Sequence, residues 1–106
     1  YNCDQISTVL SDNNFVFNLN YAYPNPFNST IRLDYTLPSK GDIEIFITDI
    51  LGKKIVSLFK GFKDSGPQNI YWDGNDSNGI SVSSGIYYCT LIADNNIKNI
   101  KITLVK

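Results

Sequence analysis

Residues 85–106 read GIYYCTLIADNNIKNIKITLVK and carry the clearest structural pattern in the chain. The part up to Ala93 is almost wholly apolar and rich in β-branched and aromatic side chains, which favour strands. Asp94-Asn95-Asn96 interrupts it, and apolar and polar side chains then alternate up to Val105. Two such runs joined by a short Asp/Asn turn predict a β-hairpin, with its first strand central in a sheet and buried on both faces.

Upstream of this hairpin, five more segments show the two-residue alternation of half-buried strands. They cover residues 15–21, 30–37, 42–50, 55–60 and 68–73. Turn residues such as Pro38-Ser39-Lys40-Gly41 separate them at the short intervals typical of sheet proteins, and no helical period appears. The pattern predicts an all-β protein, an antiparallel seven-stranded β-sandwich of immunoglobulin-like architecture.

The alternation also predicts which side chains fill the core. We expect these to point inward: Ile31, Leu33, Ile43, Ile45, Ile47, Trp72, Tyr87, Leu91, Ile100, Ile102 and Leu104. In the first strand the same rule places Phe15, Phe17, Leu19 and Tyr21 together on one face. Residues 1–14 lack this period, so we expect a linker or the tail of a preceding domain there, followed by one sandwich domain at residues 15–106.

Composition argues against several classes of function. A formal net charge of −1 gives no electrostatic basis for binding nucleic acid or an anionic membrane. No run of about 18 apolar residues is present, so we expect no transmembrane segment. The chain contains no histidine, and its carboxylates are scattered over turns and outward strand positions, which offers no acid–base pair. We therefore expect a domain that is not an enzyme and needs no cofactor.

One polar turn, residues 73–79, has some character of a metal site. Asp73, Asn75 and Asp76 supply oxygen atoms, and the arrangement is similar to the opening of a calcium loop. The bidentate glutamate that completes such a loop is missing, because Ser84 stands at its position. We favour a hydrogen-bonded Asx turn without metal, and keep these three residues as weak candidates.

The two cysteines are far apart, and Cys3 and Cys89 form neither a CxxC pair nor a zinc spacing. We predict free thiols, because a disulfide needs Cα atoms within about 7 Å and residues 1–14 would have to fold back along the strand of Cys89. Exposed aromatic side chains raise a sugar site as an alternative; the candidates are Tyr21, Tyr23, Tyr35, Tyr71, Trp72, Tyr87 and Tyr88.

Several short motifs occur in a recognisable order. They are Tyr23-Pro24-Asn25-Pro26-Phe27-Asn28, Ile31-Arg32-Leu33, Leu37-Pro38, Ile50-Leu51-Gly52-Lys53, Trp72-Asp73-Gly74, Ser84-Gly85-Ile86-Tyr87 and Lys101-Ile102-Thr103-Leu104-Val105-Lys106. In this order and spacing they resemble the type IX secretion system C-terminal sorting domain, type A. They are also similar to the immunoglobulin-like domain of the flagellar hook-capping family.

The resemblance implies a non-catalytic domain of the Bacteroidetes and related phyla that directs secretion and cell-surface attachment of an upstream cargo protein. The cargo would cross the periplasm first, and the partners would be a receptor or translocon of the secretion system and a cell-surface sortase. The family's signal residues would fall on Pro24, Pro26, Gly85, Tyr87, Lys101, Val105 and Lys106. Two departures from common members are Ser29-Thr30, where a proline often follows the motif, and Cys89, where an aromatic or aliphatic residue is usual.

The last strand fits such a role because its lysines and unpaired backbone offer an edge that a receptor can extend by strand addition. The same lysines also keep an edge strand soluble, which requires no receptor. Two other functions remain open at this point: a structural immunoglobulin-like spacer or hook-cap-like module, and a carbohydrate-binding module of a secreted multidomain protein.

Overall fold

A computed structural model describes residues 16–106 of the chain, and no helix lies within them. Seven strands are present: β1 Asn18–Tyr23, β2 Ile31–Leu37, β3 Gly41–Asp49, β4 Lys54–Lys63, β5 Gly66–Trp72, β6 Gly85–Ala93 and β7 Asn96–Leu104. They form a three-stranded sheet in the order β1-β2-β5 and a four-stranded sheet in the order β4-β3-β6-β7. Every strand pair is antiparallel, and the two sheets pack around one core. The predicted all-β, seven-stranded, immunoglobulin-like sandwich is confirmed.

The β6–β7 hairpin forms as its sequence predicts. Asp94 and Asn95 make the turn, and Asp94 adopts the left-handed conformation that Asp tolerates there, with φ of 55°. β6 does lie centrally, between β3 and β7. Burial on both faces was wrong: buried side chains of β6 alternate with half-buried ones, because no described segment covers the outer face of this sheet.

The inward alternation agrees with the observed core in all but one position. Each predicted core residue is buried except Ile100, which is partly buried and packs against the edge of the core cluster. β7 is an edge strand, and its burial declines toward the β6–β7 turn until Lys98, on the same face, is exposed. Ile100 lies in this transition.

Two local features depart from the sequence pattern. The β1–β2 pairing shifts register between Leu19 and Tyr21, so Leu19 is buried whereas Tyr21 is 66% exposed on the outer face. An irregularity of this kind reverses the alternation that a regular strand would keep. In addition, β4 continues to Lys63, beyond the predicted end at residue 60, because it pairs with β3 as far as Gly41. Only Asp64 and Ser65 then separate β4 from β5. The expected linker at residues 1–14 lies outside the described residues.

One end of the core is aromatic. The Trp72 ring lies between Phe27 and Tyr87, with centroid distances of 5.5 and 5.3 Å, and both contacts are tilted or edge-on. The indole Nε1 donates a 2.9 Å hydrogen bond to the Asn75 carbonyl, which satisfies its only polar atom. We call this part of the molecule, where β5 and β7 end and β6 begins, the Trp72 end.

Candidate recognition site at the Trp72 end

The signal residues implied by the resemblance are brought together at the Trp72 end. Gly85 pairs with Leu104, and Tyr87 pairs with Ile102, so the start of β6 lies beside the end of β7. The segment between β1 and β2 approaches the same part of β7 from the other side. Residues that are widely separated in the sequence therefore lie near one end of the sandwich: Pro24, Pro26, Gly85, Tyr87, Lys101, Val105 and Lys106.

A short segment between β1 and β2, residues 24–27, holds the outer edge of β7, and we call it the clasp. The Asn25 side chain donates from Nδ2 to the Lys101 carbonyl (3.1 Å) and accepts from the Thr103 N–H at Oδ1 (3.0 Å). The Phe27 N–H then donates to the Thr103 carbonyl (2.9 Å), and the Val105 N–H donates to the Phe27 carbonyl (2.8 Å). Four hydrogen bonds thus satisfy backbone groups that an edge strand would leave open.

The clasp corrects the expectation of an unpaired edge along the last strand. Backbone groups of Lys101, Thr103 and Val105 are already paired with the clasp. Within the described part of the chain, only the preceding portion of β7 lacks a neighbour on that side. The end of β7 at residues 101–105 therefore offers no open edge for strand addition.

The two prolines of the clasp flank Asn25, whose side chain binds β7. Pro24 and Pro26 are exposed, and both follow cis peptide bonds. Neither has an N–H group, so the segment presents few competing backbone donors. Phe27, by contrast, is buried against Trp72 and anchors the clasp in the core. Asn25 and Phe27 belong to the motif of residues 23–28, but nothing local to them in the sequence reveals a partner more than 70 positions away.

Gly85 and Tyr87 have a different position from the other signal candidates. Tyr87 is buried, and its hydroxyl donates a 2.6 Å hydrogen bond to the Ser83 carbonyl, which holds the segment leading into β6. A partner cannot contact Tyr87 over any large area. Within the domain, the Tyr87 side chain positions the segment that leads into β6. At Gly85, a Cβ atom would meet no heavy atom within 4 Å, but φ is 158°, a conformation that residues with side chains rarely adopt, so the backbone and not the packing favours glycine there.

The other candidates are accessible to a partner. Lys101, Val105 and Lys106 are exposed. The Lys106 N–H donates to the Ser84 hydroxyl at 2.9 Å, and its Nζ donates to the Ser81 hydroxyl, so this residue lies along the segment before β6. Five of the seven candidates are thus exposed around the aromatic end of the core: Pro24, Pro26, Lys101, Val105 and Lys106.

Two of the three weak metal candidates, Asp73 and Asp76, accept hydrogen bonds from the backbone, and Asn75 takes part through its own backbone groups. Asp73 Oδ1 accepts from the Asn75 N–H at 3.1 Å, and Asp76 Oδ1 accepts from the N–H groups of Asn78 and Ile80, both at 2.9 Å. This is the geometry of Asx turns. Residues 16–106 contain no group of three or more His, Cys, Asp or Glu side chains placed to hold a metal ion.

Cys89 offers no reactive nucleophile. Its side chain is buried in β6, and burial raises the pKa of the thiol from 9.0 to about 12, so the thiolate is almost absent at neutral pH. Cys3, the other cysteine, lies outside the described residues. The prediction of free thiols therefore remains a prediction.

The aromatic side chains considered for sugar binding differ in burial: three are buried, Tyr88 is half-buried, and Tyr21, Tyr23 and Tyr71 are exposed. Tyr35, Trp72 and Tyr87 are buried in the core. Tyr23 and Tyr71 are exposed beside Arg32 on the outer face of the three-stranded sheet, where Tyr23 donates to Asp34 at 3.1 Å and the Arg32 guanidinium lies 5.7 Å from the Tyr23 ring. Asp34 also binds Arg32 at 2.8 Å, so the charged groups of this face compensate each other.

Comparison with known proteins identifies the chain. The family described as the secretion system C-terminal sorting domain matches residues 21–106, which include the clasp, the groups around Trp72 and all of β7. The chain belongs to this family. No curated protein matches it. As a sorting domain it carries a signal for type IX secretion, which implies interaction with that machinery and a secreted or cell-surface protein.

Two solved structures share the fold of this sorting domain. PorZ, an essential bacterial surface component of the type IX secretion system of Porphyromonas gingivalis, is 21% identical with a TM-score of 0.55; the match covers 81% of this chain and 11% of PorZ. FlgD from Xanthomonas campestris, a protein of flagellar hook capping, is 22% identical with a TM-score of 0.57, over 86% of this chain and 67% of FlgD. The suspected similarity to both groups is confirmed.

The sorting-domain family is non-catalytic. The described residues contain no helix long and apolar enough to cross a membrane.

Proposed function

We propose that this domain directs an upstream cargo protein through the type IX secretion system, by way of the periplasm, and leads to its attachment at the cell surface. A receptor or translocon of the system would bind the Trp72 end, and a surface sortase would act on the delivered protein. The observation that carries the proposal is the convergence of five exposed candidates, from two distant parts of the sequence, on one end of the sandwich.

Stability alone does not account for these exposed residues. Pro24, Pro26, Lys101 and Lys106 contribute no buried side chain to the core. Ion pairs among the described residues involve other groups, Arg32 with Asp34 and Lys54 with Glu44. Exposed residues of this kind are expected where they contact a partner protein and do not pack in the domain's own core.

A double variant, Lys101→Ser with Lys106→Ser, tests the signal without removing core residues. Surface substitutions of this kind change the free energy of unfolding by no more than about 0.5 kcal/mol. We expect a folded domain that leaves its cargo in the periplasm of a bacterium with a type IX secretion system. Lys98→Ser is the matched control, since Lys98 is an exposed lysine of the same strand toward the opposite end.

Two further arms separate sorting from a purely structural or sugar-binding domain. Cargo without residues 16–106 should stay in the periplasm, and its normal arrival at the surface would contradict the proposal. Comparing cell-bound with released cargo tests attachment separately from export. Normal delivery by the folded double variant would eliminate the two lysines as signal residues, while leaving the deletion result to decide on sorting itself.

A further inference from the structure

We propose that an open groove at the Trp72 end, between the β3–β4 turn and the segment that leads into β6, is the docking site for a protein of the secretion machinery. The groove has a volume of about 530 Å³. The occupant we infer is an apolar side chain of that protein with carboxylates beside it. The inference rests on the proposed function and names the surface and the partner chemistry through which it acts.

One wall of the groove is an apolar turn that the core does not use. Ile50 and Leu51 follow β3 at the tip of the turn and are 67% and 88% exposed. Both line the groove, and Ile86, another exposed aliphatic residue, lines it from the side of β6. Adjacent aliphatic side chains held this far into solvent gain nothing within the domain, and clustered exposed apolar groups mark interaction sites.

The turn that presents these side chains is rigid. Asp49 Oδ1 accepts from the N–H groups of Leu51 (2.9 Å) and Lys53 (3.0 Å). The backbone closes the same turn twice, from the Asp49 N–H to the Lys53 carbonyl and from the Gly52 N–H to the Asp49 carbonyl, both at 3.0 Å. Gly52 has φ of 86°, a conformation that suits glycine. A surface ordered before binding loses less conformational entropy when a partner arrives.

The opposite wall connects the groove to the signal residues. It consists of Ser83, Ser84 and Gly85, which the Tyr87 hydroxyl holds through the Ser83 carbonyl. Ser84 accepts from the Lys106 N–H, so the final residue of the motif lies directly behind this wall. A partner bound in the groove would therefore contact Gly85 and the apolar turn and lie close to Lys106.

The charges around the groove define the chemistry of the partner. Lys53 lies on the turn and Lys106 behind the facing wall, and neither forms an ion pair with a described carboxylate. The carboxylate that lines the groove, Asp49, already accepts two backbone hydrogen bonds. An apolar side chain would fill the groove, and an Asp or Glu beside it would be attracted by the two neighbouring lysines, which is the usual layout of an apolar centre with a polar rim.

The test compares two double variants of the full chain fused behind a reporter cargo. Ile50→Ser with Leu51→Ser removes the apolar wall, and Val16→Ser with Ile97→Ser removes two aliphatic side chains that are comparably exposed, 74% and 63%, away from the groove. We expect the first variant to reduce the rate of surface delivery at least about tenfold, as the loss of one buried aliphatic contact predicts. The control should deliver at the wild-type rate, and thermal unfolding should show that both variants fold.

Charge reversal provides an independent arm. Lys53→Glu should reduce delivery, because it places a carboxylate against the acidic rim of the partner, whereas Lys98→Glu should not. If cargo with Ile50→Ser and Leu51→Ser is delivered at the wild-type rate, the groove is not the docking site. The same conclusion follows if Val16→Ser with Ile97→Ser reduces delivery equally. If cargo lacking the domain is also delivered, the proposed function itself is wrong, so the two failures can be told apart.

Discussion

The clasp makes a quantitative prediction about Asn25. Its carboxamide makes two hydrogen bonds with β7, to the Lys101 carbonyl and from the Thr103 N–H, at 3.1 and 3.0 Å. A hydrogen bond contributes roughly 0.5–1.5 kcal/mol net, with exposed bonds at the low end, so Asn25→Ala should lower the free energy of unfolding by about 1–2 kcal/mol. Urea denaturation measures this change directly.

Hydrogen exchange locates the effect of the same substitution. The Thr103 amide loses its acceptor in Asn25→Ala, so its exchange should accelerate at least about tenfold relative to the interior amides of β6. Asn25→Asp keeps an oxygen for the Thr103 N–H but turns the other carboxylate oxygen toward the Lys101 carbonyl. Thr103 should then remain protected although the stability is not restored.

Asn28→Ala is the matched control for the clasp. Asn28 is exposed just after the clasp, and its side chain makes no hydrogen bond with another described residue. Equal unfolding free energies for the Asn25 and Asn28 variants, with unchanged exchange at Thr103, would refute the idea that the clasp holds the end of β7.

Three further predictions concern the core, the thiol and the polar turn. Ile45→Ala should cost about 2–5 kcal/mol in urea denaturation, because Ile45 is fully buried; a loss below about 1 kcal/mol would mean that the site collapses around the cavity. Burial raises the pKa of the Cys89 thiol from 9.0 to about 12. As the pH rises above 9, the unfolded chain therefore loses this proton before the folded chain does. Under reducing conditions the free energy of unfolding should fall by up to about 1.4 kcal/mol per pH unit between pH 9 and 12. Cys89→Ala should abolish this contribution to the pH dependence. Added calcium should leave the thermal midpoint unchanged, because Asp73 and Asp76 each bind the backbone of their own turn; a midpoint that rises with calcium concentration would reveal a site.

The sequence predicts most of the fold because local alternation and burial agree in it. In β2, Ile31, Leu33, Tyr35 and Leu37 alternate with polar residues and are buried as a set. The hairpin of β6 and β7 forms for the same reason. Tyr21 escapes this rule, since the register shift depends on pairing with β2 and not on the residues of β1. Ile100 escapes it because exposure along an edge strand depends on where the other sheet ends.

The site is less predictable because its contacts are distant in sequence. The motif resemblance singled out residues that do converge, yet only the folded chain shows Tyr87 buried and Lys101 held through Asn25. The groove likewise joins the turn after β3 to the segment before β6. No period or spacing within either segment indicates that the other is nearby. Long-range pairing of this kind requires the topology of the sheets.

The clasp also makes the Trp72 end dependent on residues 101–105. Its hydrogen bonds join Asn25 to residues 76 and 78 positions later, and Phe27 pairs beside Leu104. A polypeptide that stops before Lys101 has every residue of the clasp and nothing for it to hold, and it also lacks the Lys106 contact behind the groove. A partner that recognises this end would therefore bind only chains that include residues 101–106.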